Sequence, residues 1–362
     1  MLNKEAQKRK IPNFFDGITT KEKWEEKRNE IKELFLREEY GFLPEKITPT
    51  VTEEQQYIGF AGKGDWKSVF FTFEKEEKSH TVRTELVLPK GKTSVPVFVF
   101  IDFEAGVPNK YLPMEEILDN GYGVMMFCYK NVTSDDNDFT NGLCALFASS
   151  EGKCSFGKIS LWAYMASACL DYLKSRNDIG KIAVLGHSRL GKTALLASAL
   201  DDRFDLTCVN NSGCCGASIS RGKIDKNENI TKITDTFPFW FCDNYFKYRD
   251  NENMLPFDQH MLLSLVAPRP VMIGGAIDDV WADNEGQMLS CYLASPIWKL
   301  YGKDGFISEN RLPLLGDHFL DGDICFHLRQ GEHFLSRYDW NVYMKKFKEI
   351  FHIYHSANGE IC

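Results

Sequence analysis

Residues 181–200 read KIAVLGHSRLGKTALLASAL, and the meaning of the loop in their middle decides the fold. Gly186-His187-Ser188-Arg189-Leu190-Gly191-Lys192-Thr193 matches the phosphate-loop pattern G-x-x-x-x-G-K-[ST] at every position. The same residues fall one position short of the nucleophile elbow G-x-S-x-G, because the second glycine is delayed to Gly191. A short apolar strand, KIAVLG, leads in, and the helical run KTALLASAL leads out. Both motifs use that setting, so the loop alone leaves both readings open.

Outward from the loop, the chain alternates strands and helices. VPVFVFIDF (residues 95–103), GVMMFCY (123–129) and RPVMIGGA (269–276) are continuous apolar runs, as expected of strands covered on both faces. KISLWAYMASACLDYLK (158–174) repeats apolar residues at helical spacing, and SRYDWNVYMKKFKEIFHIYH (336–355) reads as a terminal amphipathic helix. SVFFTFE and TVRTELVLP alternate and predict an antiparallel hairpin at one sheet edge. Near the start, residues 19–40 predict a helix with Thr19 and Glu22 as a capping box, an apolar stripe of Trp24, Ile31, Leu34 and Phe35, and a stop at Gly41. The expectation is an α/β fold: one domain over residues 1–362, with a doubly wound, mostly parallel sheet flanked by helices on both faces. Residues 1–60 are expected as a helical extension packed on it. The active site belongs beyond the carboxyl ends of the strands.

The rest of the chain separates the two readings of the loop. A phosphate-loop enzyme needs a strand-end carboxylate for magnesium. The next apolar strand, DLTCVNNSG, ends instead in the uncharged Asn210 and Asn211. A serine hydrolase needs an acid and then a histidine downstream. Asp278 and Asp279 follow the strand RPVMIGGA, and His333 lies in LRQGEHFLSRYDW before the last helix. Ser188 as nucleophile, Asp279 or Asp278 as acid and His333 as base therefore stand in the required order. The chemistry needs those types: a serine hydroxyl needs an imidazole to take its proton, and a carboxylate to orient and stabilise that imidazole.

GHSRLGKTALLASALDDRF, NNSGCCGASISRG, FPFWFCDNYFKY, LPFDQHMLLSLVAPRPV, DDVWAD and GEHFLSRYDW together resemble the bacterial branch of carbohydrate esterase family 15, the glucuronoyl esterases of the α/β-hydrolase fold. The resemblance runs from about Trp24 to near Phe347. It implies cleavage of esters of glucuronic acid borne on xylan, or on xylan-derived oligosaccharides, through an acyl-enzyme and with no cofactor or metal. It implies Arg189 as oxyanion support, Lys192 and Glu228 as contacts to the sugar, and Trp281 as a wall of the sugar pocket. Fungal-type relatives keep their acid at the place of Asn211, where an amide cannot serve, so the acid is expected from AIDDVWAD, with Asp279 preferred to Asp278. An acetylxylan or other acetyl-carbohydrate esterase is the alternative, and a non-catalytic carbohydrate-binding protein on a hydrolase scaffold is the alternative of another class.

Other features carry blander readings. A net charge of −8 and a pI near 5.6 argue against nucleic acid or an anionic membrane as partner. The opening MLNKEAQKRKIPNFF has no apolar core of signal length, so a cytoplasmic location is expected for the chain as written. The eleven cysteines form no C-x-x-C pair and are expected as reduced, mostly buried thiols. His260 reads as a structural histidine, His318 as the rival to His333, and Asp317, His318, Asp321 and Asp323 as a solvated turn. Trp240 is a second candidate sugar platform.

Overall fold

The computed structural model describes residues 1–42, 45–56, 59–149 and 152–353. The fully apolar runs form the centre of a sheet. Every residue of β4 (Val95–Asp102) is buried; Val97, Val99 and Ile101 enter one core, and Phe98 and Phe100 the other. Alternate side chains of a strand leave on opposite faces, so a strand apolar throughout must be covered twice. Helices Lys158–Lys174, Arg189–Leu200 and Asn284–Lys299 cover the first face, and Met114–Asp119 with Arg337–Ile350 the second.

The other strands are β1 (Thr50–Gln56), β2 (Gly64–Lys75), β3 (Lys78–Pro89), β5 (Gly123–Cys128), β6 (Ile179–His187), β7 (Leu206–Asn210), β8 (Val271–Ala276), β9 (His318–Phe319) and β10 (Ile324–Arg329). They lie in the order β1-β2-β3-β5-β4-β6-β7-β8-β10-β9. Strands β5, β4, β6, β7, β8 and β10 pair in parallel, while β1, β2, β3 and β9 join antiparallel at the two ends. The chain moves from β4 outward to β5 and returns on the other side as β6. That reversal opens a crevice beyond the carboxyl ends of β4 and β6, where ligands bind in such sheets.

The predicted hairpin is β2–β3, turning at Glu76 and Glu77. The N-terminal reading needs correction in three places. The helix is Lys21–Phe35, and its cap is Thr20, whose Oγ1 accepts from Lys23 N at 3.4 Å, rather than Thr19. Its end widens into a π turn, Leu36–Tyr40, that buries Glu38, Glu39 and Tyr40. Gly41 follows at φ 81, where a Cβ would stand 2.2 Å from Phe156 Cα. Residues 1–60 are also not all helical, since β1 forms an edge of the sheet. At the other end the last helix stops at Ile350, and residues 354–355 of the predicted helix lie outside the described residues. The ten described cysteines are free thiols, all buried except the half-buried Cys154.

Candidate active site

Strand β6 delivers Ser188 to the crevice at φ 58, ψ −128, a left-handed turn that lifts the side chain off the strand axis. Gly186 makes the turn possible: a Cβ there would lie 1.9 Å from Leu190 O, so only glycine lets the helix start so close to the strand. Gly191 is less constrained: a Cβ there would lie 3.0 Å from Asn210 O at the end of β7, a tight contact. The delayed glycine of the motif is therefore a contact between helix and neighbouring strand. Ser188 N donates to Asn210 O at 2.9 Å, which ties the elbow to β7.

The acid and base arrive from β8 and from the loop after β10. Asp279 Oδ2 accepts from His333 Nδ1 at 2.6 Å. Asn211 Nδ2 donates to the same oxygen at 2.6 Å, and Ala282 N reaches Oδ1 at 3.3 Å. Burial pushes the Asp279 carboxyl up, but these three donors outweigh it and hold the group below its ordinary value. Asp278 is instead exposed and accepts from Gln330 Nε2 at 2.9 Å. The His333 ring packs against that of His187, 4.5 Å between centroids, which places the base beside the residue preceding the nucleophile. Among the described residues, Ser188 Oγ has no hydrogen-bond partner; such bonds often tighten only when substrate arrives. His187 itself is buried, its Nδ1 on Asn210 Oδ1 at 2.7 Å. Burial, and then the neighbouring His333, push it down to about 3, so it stays neutral.

Arg189 opens the helix, so its backbone N–H has no intrahelical acceptor. Its guanidinium lies 4.6 Å from the centroid of Trp240 and 4.8 Å from that of Phe237, which stack on each other at 3.9 Å. Asp135 grips it from the side, while accepting from Trp240 Nε1 and Tyr129 OH, both at 2.8 Å. Arg189 Nε is buried with no partner. At the end of β4, the N–H groups of Phe103 and Glu104 both donate to Asp102 Oδ1, at 2.6 and 3.2 Å.

Lys192 is buried. Its ammonium donates to Ser212 O at 2.5 Å, Cys214 O at 2.7 Å and Glu228 Oε2 at 2.8 Å. An ammonium has three donors, and all three are occupied. Lys192 is thus placed as the holder of Glu228, where the resemblance implied a direct contact to the sugar. Glu228 N donates to Trp281 O at 2.9 Å, so the glutamate and the tryptophan are joined through backbone next to the acid loop. Trp281 is 45 % exposed, with Lys232 Nζ 5.3 Å from its ring centroid.

The family model described as "Glucuronyl esterase, fungi" matches residues 71–302. The chain belongs to that glucuronoyl esterase family, carbohydrate esterase family 15. A carbohydrate esterase of an unknown prokaryotic organism is 32 % identical, covering 91 % of this chain and 85 % of its own length. A 4-O-methyl-glucuronoyl methylesterase of Phanerochaete carnosa is 26 % identical over 81 % of this chain and 72 % of its own. Among solved structures, a glucuronoyl esterase from Solibacter usitatus superposes with a TM-score of 0.83 at 32 % identity, covering 91 % of this chain and 94 % of that one. The architecture is the α/β-hydrolase fold, and the chain is a carboxylic ester hydrolase.

Within this esterase, several sequence candidates fall elsewhere. Trp240 is 2 % exposed and belongs to the stack that holds Arg189, so it is no sugar platform. His260 is buried between Phe14 and Phe15, and burial pushes it down to about 4, in keeping with a structural role. His318 is exposed and its Nε2 meets Tyr338 OH. Asp317 of the acidic turn is taken by Arg311 at 2.6 and 2.7 Å. Among the described residues no His/Cys/Asp/Glu group has the arrangement to hold a metal ion, and no helix is long and apolar enough to cross a membrane. Sequence reasoning missed Asp135, one of three aspartates in the polar run TSDDND. It missed the hydrogen bond by which Asn211 braces the acid. The signal for Asp135 was indirect: Lys158, at the start of a largely apolar helix and fully buried, fastens that loop by donating to Ser134 O at 2.7 Å and Asp138 O at 2.8 Å.

Proposed function

We propose that this esterase cleaves glucuronoyl esters on xylan or its fragments through Ser188, His333 and Asp279. The observation that carries this reading is the pairing of a buried Asp279 carboxylate with His333 at 2.6 Å, beside a strained serine elbow. Ser188 Oγ attacks the ester carbonyl and its proton passes to His333 Nε2. Asp279, charged, stabilises the imidazolium that forms. The alcohol leaves with the proton from His333, and a water, deprotonated by the same histidine, releases the acid from the acyl-enzyme.

The oxyanion of the tetrahedral intermediate is assigned to Arg189. The first N–H groups after β4, which commonly serve here, are occupied by Asp102, whereas the Arg189 backbone N–H and guanidinium remain with donors to offer. The sugar is assigned to the exposed face of Trp281 and to Glu228, whose carboxylate the Lys192 ammonium holds in place at 2.8 Å. The test is hydrolysis of benzyl glucuronate beside 4-nitrophenyl acetate. Preference for the glucuronate, abolished in Ser188→Ala, is expected. Strong preference for the acetate would replace this reading with an acetyl-carbohydrate esterase.

A further inference from the structure

His333 sits in a loop without regular structure, is 40 % exposed at its side chain, and makes a single ring hydrogen bond, to Asp279. A misplacement of about 1 Å in such a group can cost on the order of 100-fold in rate. One bond to a neighbouring loop does not fix an imidazole in three dimensions. The restraint lies beneath, at Arg329, the last residue of β10 and 7 % exposed.

Its guanidinium reaches the loop on both sides of the histidine. Nη1 donates to Gln330 O at 2.9 Å, and Nη2 donates to Glu332 O at 3.4 Å and to Phe334 O, the carbonyls that flank His333. Nε donates to Asp339 Oδ2 at 2.7 Å. Asp339 is fully buried and anchored in turn: its Oδ1 accepts from His327 Nε2 at 2.8 Å, and its Oδ2 from Ser336 N and Oγ, both at 2.8 Å. With Ser336 it forms the capping box of the helix Arg337–Ile350. One planar fork thus fastens strand end, base loop and helix start together.

We propose that Arg329 is the positioning residue of the catalytic base, holding the backbone around His333 so that its ring meets both Asp279 and the nucleophile. This rests on His333 being the base. A rigid five-donor fork is required, because a lysine can pair with Asp339 but cannot also span the carbonyls of Gln330, Glu332 and Phe334.

The ion pair and the fork can be separated by Arg329→Lys. The lysine keeps the charge against Asp339, so the melting temperature should stay within a few degrees and KM within about threefold. Without the fork, kcat should fall about 10- to 100-fold. Arg329→Ala should lose more and recover part of its kcat in millimolar guanidinium but not in methylammonium. A kcat for Arg329→Lys within twofold of the parent, or losses that only follow the unfolded fraction, would overturn the proposal. His333→Ala is measured alongside. If it kills hydrolysis while Arg329→Lys is normal, only the positioning role fails; if it leaves hydrolysis intact, the assignment of the base fails and this proposal with it.

Discussion

Replacing Asp279 by asparagine is expected to cost this enzyme much less than replacing it by alanine, and the reason lies in Asn211. In a serine protease template, the aspartate-to-asparagine change costs on the order of 10⁴ because the amide presents its NH₂ to the histidine and imposes the wrong tautomer. Here Asp279 Oδ2 accepts from two donors, His333 Nδ1 and Asn211 Nδ2, both at 2.6 Å. Oδ1 accepts from one, Ala282 N, at a longer 3.3 Å. An amide oxygen placed at the position of Oδ2 satisfies the two short bonds, and only the weaker one meets an NH₂. The flipped amide would set its NH₂ against the Asn211 amide donor. In Asp279→Asn the rotamer that keeps His333 protonated on Nδ1 is thus favoured, and what is lost is charge. With charge centres about 4 Å apart, the pair is worth ~4 kcal/mol at an effective dielectric of 20. Since His333 is 40 % exposed, screening leaves roughly half of that, about 2 kcal/mol or about 30-fold in kcat. The assay is kcat on benzyl glucuronate for Asp279→Asn, Asp279→Ala and Asp279→Asn with Asn211→Leu. The asparagine variant should lose about 30- to 100-fold and the alanine variant at least 10³-fold. Removing Asn211 should cost the asparagine background far more than it costs the parent. Equal losses for asparagine and alanine, or strictly additive behaviour of Asn211→Leu, would refute the argument.

Lys192→Met should strand the Glu228 carboxylate, 6 % exposed, without its cation. Breaking one side of such a buried pair costs about 3–5 kcal/mol, read as a lower melting temperature, and a raised KM should accompany it. Lys192→Met with Glu228→Gln should regain most of the stability but not the KM, whereas full recovery of KM would remove Glu228 from sugar binding. Glu39 carries a different signature: burial pushes its carboxyl up to about 8, and Oε1 has no partner. The unfolded carboxyl ionises near 4.5, so between about pH 4.5 and 8 the folded state holds one extra proton and stability falls as pH rises, by up to ~1.4 kcal/mol per unit. Glu39→Gln should therefore match the parent in melting temperature near pH 4.5 and exceed it at pH 8. A variant less stable than the parent at pH 8 would show that the carboxyl is held in its charged form.

What could be read from the chain, and what could not, divides along a physical line. The sheet was legible because a strand apolar at every position, such as 95–101, has no stable home except between two layers. Ser188, Asp279 and His333 stood out because serine-hydrolase chemistry demands those side-chain types in that order at strand ends. For Lys192 the position on the helix was legible but the direction of the side chain was not. Whether an ammonium points at substrate or at the carbonyls of Ser212 and Cys214 depends on where a turn about twenty residues later comes to rest. Asp135, Asn211 and Arg329 were hidden for a related reason. Each is a polar residue in polar surroundings, unmarked by periodicity, and each acts on another side chain or on backbone brought close only by the closed fold. Such residues act on the rate through the reacting groups, because hydrogen bonds shielded from water hold geometry firmly and a small displacement of an imidazole slows the reaction. Arginine makes the point most sharply: Arg189, Arg221 and Arg329 are among several arginines that are wholly or largely buried, and nothing local in sequence says which grips substrate and which grip the chain. Arg221 binds Phe257 O and Asp258, Arg329 brackets the base, and only Arg189 keeps a buried donor unfilled next to the nucleophile. An unfilled donor at a reacting centre is destabilising in the resting protein unless a ligand completes it, which is the physical ground for placing the developing negative charge there.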